Sequence, residues 1–431
     1  MQLKQYSEME YHPLSEQIVN ILRNQTQNTR SDTYFRTVTS FFLAQMASSM
    51  RTYIRTQDRG DIPVNLYACC LMESGGGKGH SLAVLEDSIV NQFKHRFTQD
   101  TFPALAKKSI EAEAVHKCQL NGTDFEEELE KLQKEFDGYG SMPYSFSEGT
   151  APAYKQIRTK CQIAKVGSLN YIVDEIGSNL IGGQELWTVC LETYDTGKVK
   201  DKITKASSEN KRHEQRDDPV PANMLAFGTP VKLLDGGTVE NAYNSLLETG
   251  YGRRFMFGIG GKGTDANHTA EELYALLSKN VSNADVDAIS NLFGNLANEA
   301  NFGRVITMEE KEGIMLLQYK LDCEALADKF STHSHIRKAE MQHRYFKVLK
   351  LAGAYAFVDT TATVTEDHLY AAIKAVEDSG DAFNELMNQP KNYVRLAQYL
   401  AEMDSESTIA DIAEDLAFFP SAKNKQEELI A

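Results

Sequence analysis

Apolar positions in the first fifty residues recur at helical spacing, with Leu14, Ile18, Ile21 and Leu22 followed by Phe35, Val38, Phe41, Phe42 and Met46. The pattern predicts helices from about residue 10 to 56, until Gly60-Asp-Ile-Pro63 interrupts it. The run Leu66-Tyr-Ala-Cys-Cys-Leu-Met72 is unbroken and of strand length, and a helix follows from Ser81 to Phe97. Between about 104 and 137 the spacing is again helical but the composition is charged. There Leu129, Leu132 and Phe136 form one stripe, and the rest reads as a solvated face. Tyr144-Ser-Phe-Ser147 is short and β-like, and Leu169-Asn-Tyr-Ile-Val173, Asn223-Met-Leu-Ala-Phe227 and Phe255-Met-Phe257 read as further strands. Strand alternating with helix predicts a parallel α/β sheet, whose ligand sites lie at the carboxyl ends of the strands. From about residue 269 the spacing is helical: 270–277, 284–296, 308–330, 336–357 and 366–387, the last capped by Thr365.

These patterns divide the chain into an N-terminal helical region (1–58), an α/β core (59–265) with a helical insertion at about 104–138, and a helical domain (266–388). Residues 389–431 resemble the first two helices of a winged-helix fold, stopping before any wing. No apolar run approaches the roughly 20 residues of a membrane span. The N-terminus lacks the pattern of a signal peptide, so a cytoplasmic location is expected. The six cysteines show no metal-ligand spacing and read as reduced thiols, and His333, His335 and His343 lack a partner pattern for metal binding. The formal charge of −16 argues against nucleic-acid binding over the whole surface. One segment departs from it: Lys198 to Arg216 holds seven Lys/Arg against three Asp/Glu.

Candidate chemistry begins where the first strand meets its helix. In Ser74-Gly75-Gly76-Gly77-Lys78 the glycines let backbone N–H groups wrap an anion, and Lys78 can reach terminal phosphates. Two positions depart from the usual phosphate loop: Met72 stands at the first glycine, and Gly79 replaces the Ser/Thr that ligates Mg²⁺, with His80 and Ser81 next. A glycine-rich turn without a ligand is the competing reading. Asp174 and Glu175 close the second strand, where one carboxylate can hold a hydrated Mg²⁺ and its neighbour can polarise a water. Thr229, at the tip of the third strand, offers a hydroxyl to a γ-phosphate or its attacking water. Arg253 and Arg254, before the fourth, are either internal ion-pair partners or a finger reaching a neighbour's nucleotide. Gly260-Gly-Lys-Gly263 reads as a loop and not a second phosphate site, since no strand-to-helix frame surrounds it. Lys198, Lys200, Lys202, Lys205, Lys211 and Arg212 can neutralise phosphates without reading sequence, and a solvated surface loop is the alternative.

Taken in order, Ser74–Lys78, Ser147-Glu-Gly-Thr150, Ile172-Val-Asp-Glu175, Tyr194-Asp-Thr-Gly197, Phe227-Gly-Thr-Pro230, Arg253-Arg-Phe255, the helical stretch from Arg337 to Ala354 and Val364-Thr-Glu366 resemble one group. These are P-loop ATPases of phages and mobile elements, often linked to primases and similar to AAA+ replicative helicases of the minichromosome maintenance kind. The resemblance covers roughly residues 60 to 385. It implies a P-loop NTPase (AAA+/RecA-like) core, ATP with Mg²⁺, single-stranded DNA as partner, a homo-oligomeric and hexameric ring, and a primase nearby. By the same resemblance Lys78 binds the β/γ-phosphates, Asp174 holds Mg²⁺ through water, Glu175 is the catalytic base and Thr229 the polar sensor. Arg254 is the finger with Arg253 as second choice, and Arg337 is a helical-domain sensor. Two other readings stand beside it: a nucleotide-binding regulatory or structural protein with weak turnover, and a small-molecule kinase suggested by Lys78-Gly79.

Overall fold

The computed structural model describes residues 3–180, 184–199, 218–234, 236–263, 269–279, 283–390, 392–403, 408–416, 418–420 and 422–430. Its strands are β1 (Tyr53–Thr56), β2 (Gly60–Pro63), β3 (Tyr67–Met72), β4 (Leu169–Val173), β5 (Ala222–Gly228), β6 (Phe255–Gly260), β7 (Val305–Met308) and β8 (Thr363–Val364). The main sheet has the order β4-β5-β3-β6 and is parallel throughout. Phe146, in the stretch read as β-like, bridges Tyr171 in parallel at the outer edge of β4. A smaller sheet, β2-β1-β7-β8, joins the β1–β2 hairpin to two parallel neighbours.

Every residue of β3, β4 and β5 is buried, which explains their unbroken apolar runs: a parallel sheet is covered on both faces. Successive side chains of β3 show which helices do the covering. The Cys69 thiol lies 3.7 Å from the Tyr243 hydroxyl, and the Tyr67 hydroxyl donates to the carbonyl of Cys190. Helices Thr238–Leu246 and Gln184–Thr196 therefore share one face. Cys70 turns the other way, towards Tyr34 on helix Asp32–Ser49. That helix packs so closely that a methyl on Gly258 of β6 would lie 2.9 Å from the Tyr34 backbone.

The structure corrects several local expectations. Helix Asp32–Ser49 stops at Met50, Arg51 turns to φ 53°, and residues 53–56 and 60–63 form a hairpin where a helix and a break were expected. Tyr53 and Ile54 gain partners on both sides from β2 and β7, a tertiary effect that helical spacing does not carry. The helix expected over 81–97 is interrupted at Val90, between the turn of π-helix Val84–Ile89 and helix Asn91–Arg96. The insertion is a pair of helices, Phe102–Asn121 and Phe125–Gly138, the first ended by Gly122 at φ 67° and the second capped by Asp124.

Packing does not stop at residues 58 or 265. One hydrophobic cluster runs from Met9 to Leu386, taking in the N-terminal helices, the main sheet and helices His335–Val358 and Glu366–Met387. The last segment differs: Leu396, Ile412, Phe418 and Phe419 form a small cluster of their own among three short helices.

Candidate functional site

The loop after β3 occupies the carboxyl end of the main sheet. Gly75 and Gly77 have φ of 83° and 97°, a conformation that favours glycine. Gly76 is required for space, because a methyl there would lie 2.7 Å from Met72 Cγ. Met72 thus fills the floor under the loop at the place where a glycine was expected. Ser74, Gly75, Gly79 and His80 are exposed, and Lys78 opens helix Lys78–Ala83. The loop is fixed from below by Asn28, whose Nδ2 donates 2.8 Å to the Gly76 carbonyl.

The Lys78 ammonium donates 2.9 Å to the backbone carbonyl of Asp174 and sits 5.7 Å from the Phe227 ring. The glycine loop and the acidic pair, about a hundred residues apart in sequence, therefore meet at one point. Asp174 is exposed, while Glu175 is half-buried, and its Oε1 is buried without a hydrogen-bond partner among the described residues. A methyl on Gly228, at the end of β5, would lie 3.6 Å from that oxygen. Thr229 follows directly, half-exposed and beside the N-terminus of a single helical turn, Pro230–Leu233, with its side chain making no capping hydrogen bond. Because β5 lies between β4 and β3, Thr229 stands between the acidic pair and the loop. Lys78 meets Asp174, and Glu175 and Thr229 follow the ends of the adjoining strands β4 and β5.

Other expected site residues are not at this end. The Ser81 hydroxyl is buried and donates 2.9 Å back to the Lys78 carbonyl, so it turns away from the open side of the loop. Arg254 was the first choice for a finger, and it is buried: its Nη2 donates 2.7 Å to Asp195 of the same chain and its Nη1 reaches the Gly250 carbonyl. A guanidinium held this way has no free fork to offer a neighbour, whereas Arg253 beside it is exposed. Burial, then the charges of Arg254, push the Arg253 pKa down. Both precede β6, so the length of that strand, roughly 20 Å at about 3.3 Å per residue, separates them from the loop end. Arg337 lies with them, since its neighbour Ile336 touches Gly252, and it donates 2.7 Å to Asn388. It is therefore not part of this chain's own loop site. Lys198 is exposed where the basic segment begins, and Lys200, Lys202, Lys205, Lys211 and Arg212 lie outside the described residues. The segment's two stems are pinned together at the amino end of the sheet, Val220 N–H donating 2.9 Å to the Gly197 carbonyl.

Three groups at or near the site escaped the sequence reading. Asn28 is one. Glu86 is the second: burial, then the charges of Asp87 and Asp174 against that of Lys94, raise its pKa, which brings a third carboxyl into the field of the acidic pair. The third is Lys262, whose side chain lies across Gly75 from the loop after β6. Asn28 and Glu86 have no motif, and Lys262 stands in the Gly260–Gly263 run, which reads from the sequence as a loop and not a phosphate site; each reaches the loop only through the fold.

His12, Asp359 and His368 also converge, each ring Nε2 lying 3.1 Å from Asp359 Oδ2. Ser15 N–H and Thr365 N–H point at the two Nδ1 atoms. Both Nδ1 atoms therefore accept, both Nε2 atoms carry the proton, and the cluster is a closed bridge and not a ligand set. The three residues tie helix Pro13–Thr26 to the C-terminal helix pair. No protein-family model matches this sequence, and no curated protein matches it.

Proposed function

We propose that this chain is a P-loop ATPase of the AAA+/RecA-like kind that assembles into a ring and acts on DNA, as a replication helicase or related motor of a phage or mobile element. The observation that carries the reading is the meeting of Lys78 with Asp174 at the carboxyl end of a parallel sheet, with Glu175 and Thr229 alongside. The residues fit ATP and Mg²⁺ chemically: a glycine turn of positive φ, a lysine that donates to a carbonyl and, among the described residues, a buried carboxylate oxygen with no hydrogen-bond partner.

In this reading Lys78 exchanges the Asp174 carbonyl for β/γ-phosphate oxygens, and Asp174 would hold the metal through water. Mg²⁺, when bound, would neutralise charge on the phosphates. Glu175 orients a water and takes its proton, and Thr229 supplies a hydroxyl between them. Arg253 replaces Arg254 as the residue that reaches a neighbouring subunit. The basic segment from Lys198 neutralises phosphates of a single strand.

The test is ATP hydrolysis by the purified chain, with and without single-stranded DNA, alongside Lys78→Ala. Stimulation by DNA and loss of turnover in the variant support the proposal. Tight ATP binding with negligible turnover in either condition favours the regulatory reading, to which the missing hydroxyl at Gly79 lends itself. Transfer of phosphate to a small acceptor would favour the kinase.

A further inference from the structure

We infer that Lys262 is a second phosphate-binding lysine, directed at the inner phosphates of the nucleotide while Lys78 serves the terminal ones. The inference rests on the ATPase reading and assigns one end of that site.

Lys262 lies in the loop after β6, next to the loop after β3. A methyl placed on Gly75 would be 3.4 Å from Lys262 Cε and 3.5 Å from its Nζ, so the side chain lies along the outer edge of the glycine turn. Among the described residues its ammonium has no carboxylate or hydrogen-bond partner. The two loops are tied into one unit. Asn28 is only 2% exposed, and its Nδ2 donates to the Gly76 carbonyl at 2.8 Å and to the Gly261 carbonyl at 2.9 Å. Ser31 Oγ donates to the same Gly261 carbonyl at 3.0 Å, and Glu73 N–H reaches the Gly260 carbonyl at 3.3 Å. Lys262 is therefore held at the glycine turn by the backbone that carries it.

Strand order fixes which phosphates it can reach. In β4-β5-β3-β6 the groups suited to a reacting phosphate, Asp174, Glu175 and Thr229, all lie on the β4/β5 side of β3. Lys262 comes from the β6 side. A phosphate chain cradled by Gly75 to Gly77 with its reacting end towards Glu175 must direct its inner phosphates towards β6. A lysine there binds ground state and transition state alike, so it lowers KM without raising kcat.

The experiment compares binding of ATP, ADP and adenosine to the full chain with that of Lys262→Ala and Lys262→Arg, together with steady-state hydrolysis. Lys262 is exposed, so the variants should fold as the unmodified chain does, which thermal unfolding checks. Lys262→Ala is expected to weaken ATP and ADP by about tenfold each, the loss of one charge-assisted contact. KM should rise by a similar factor, kcat should stay within about twofold, and Lys262→Arg should recover most of the affinity. Unchanged ADP affinity in Lys262→Ala, with Lys78→Ala still losing ATP turnover, overturns the role of Lys262 and leaves the ATPase reading standing. A fall in kcat at constant KM overturns the inner-phosphate assignment. Absence of ATP and ADP binding by the unmodified chain overturns both.

Discussion

The two ends of the main sheet hold charge in opposite ways. At the carboxyl end, among the described residues, Lys78 donates to one backbone carbonyl and Glu175 keeps a buried oxygen without a hydrogen-bond partner, while glycines of positive φ line the opening. At the amino end Glu340, Arg344, Lys347, Lys350 and Arg254 are buried, and each has at least two partners within the chain. Glu340 lies between Arg344 and Lys347, and Lys347 also donates to the Phe255 carbonyl. Lys350 donates to the carbonyls of Pro63 and Tyr194 and to the Asn65 side chain, and Arg254 is paired with Asp195. A buried ion whose partners are all internal is architecture, because removing one partner strands the other. A charge held by a single replaceable contact is available to a ligand. The contrast separates two arginines adjacent in sequence and two lysines that composition treats alike.

The comparison breaks most violently at Glu340. Its side chain is 1% exposed and faces two cations, so Glu340→Ala leaves Arg344 and Lys347 buried with less compensation. The expected loss is about 3–5 kcal/mol, read by chemical denaturation. Burial alone would raise the Glu340 pKa, but Lys347 and Arg344 outweigh it and hold it below its ordinary 4.5. A depressed carboxylate contributes stability that is complete above that value and is lost as pH falls through the lower folded value. The variant should therefore lose less stability than the unmodified chain when acidified below pH 4.5. A variant with undiminished stability would show that the amino-end network is not structural.

Glu175→Gln probes the open end. The change is isosteric, so stability should move by less than about 0.5 kcal/mol. Turnover should fall by about two orders of magnitude with ATP binding retained, as for loss of a catalytic base. Undiminished hydrolysis would remove Glu175 from the chemistry.

Three of the four main strands were legible because each is an apolar run buried on both faces, followed by candidate chemistry at its tip: glycines after Met72, acids after Val173, a threonine after Gly228. What pattern could not carry was contact made across the fold. Tyr53–Thr56 looked helical because its strand partners lie at residues 60–63 and 305–306. Asn28 and Glu86 were invisible as site residues, and the Gly260–Gly263 run holding Lys262 reads as a loop for want of a strand-to-helix frame, since only packing brings each to the glycine turn. Arg254 was misassigned for the same reason: its partner Asp195 is 59 residues away, and an arginine before a strand looks alike whether buried or projecting. The order β4-β5-β3-β6, which decides what stands beside what, had no local signal.

Arg253 and Arg254 allow a finer cut. Arg254→Ala should destabilise the chain by about 1–3 kcal/mol, the range for a charged hydrogen bond, since Asp195 is 41% exposed and can regain water. Arg253→Ala should leave stability within about 0.5 kcal/mol, as for an exposed position. It should reduce hydrolysis only in the assembled form. Mixing Arg253→Ala with Glu175→Gln subunits should restore part of the activity, because one subunit's intact arginine can face another's intact base. No rescue in verified assemblies would assign Arg253 to its own chain.

The smallest effect is the most specific to the open end. Gly79 is exposed, and a Cβ added there meets nothing within 4 Å. It lies in helix Lys78–Ala83 at a φ that a side chain can adopt, so Gly79→Ser is sterically free. Replacing glycine within a helix should add a few tenths of a kcal/mol of stability. The new hydroxyl would stand beside Lys78, where Ser81 cannot help because its own hydroxyl is turned to the Lys78 carbonyl. If Asp174 and position 79 flank a Mg²⁺ site, the Mg²⁺ concentration giving half-maximal hydrolysis should fall several-fold, by roughly 3 to 10, the worth of about 1 kcal/mol. Gly79→Ala supplies the control: it shares the helix effect but has no oxygen. A lower Mg²⁺ requirement in the serine variant alone ties the metal to this turn. Equal behaviour of the two variants means that the metal is held without position 79, and the glycine there reflects only the close approach of a phosphate to the backbone.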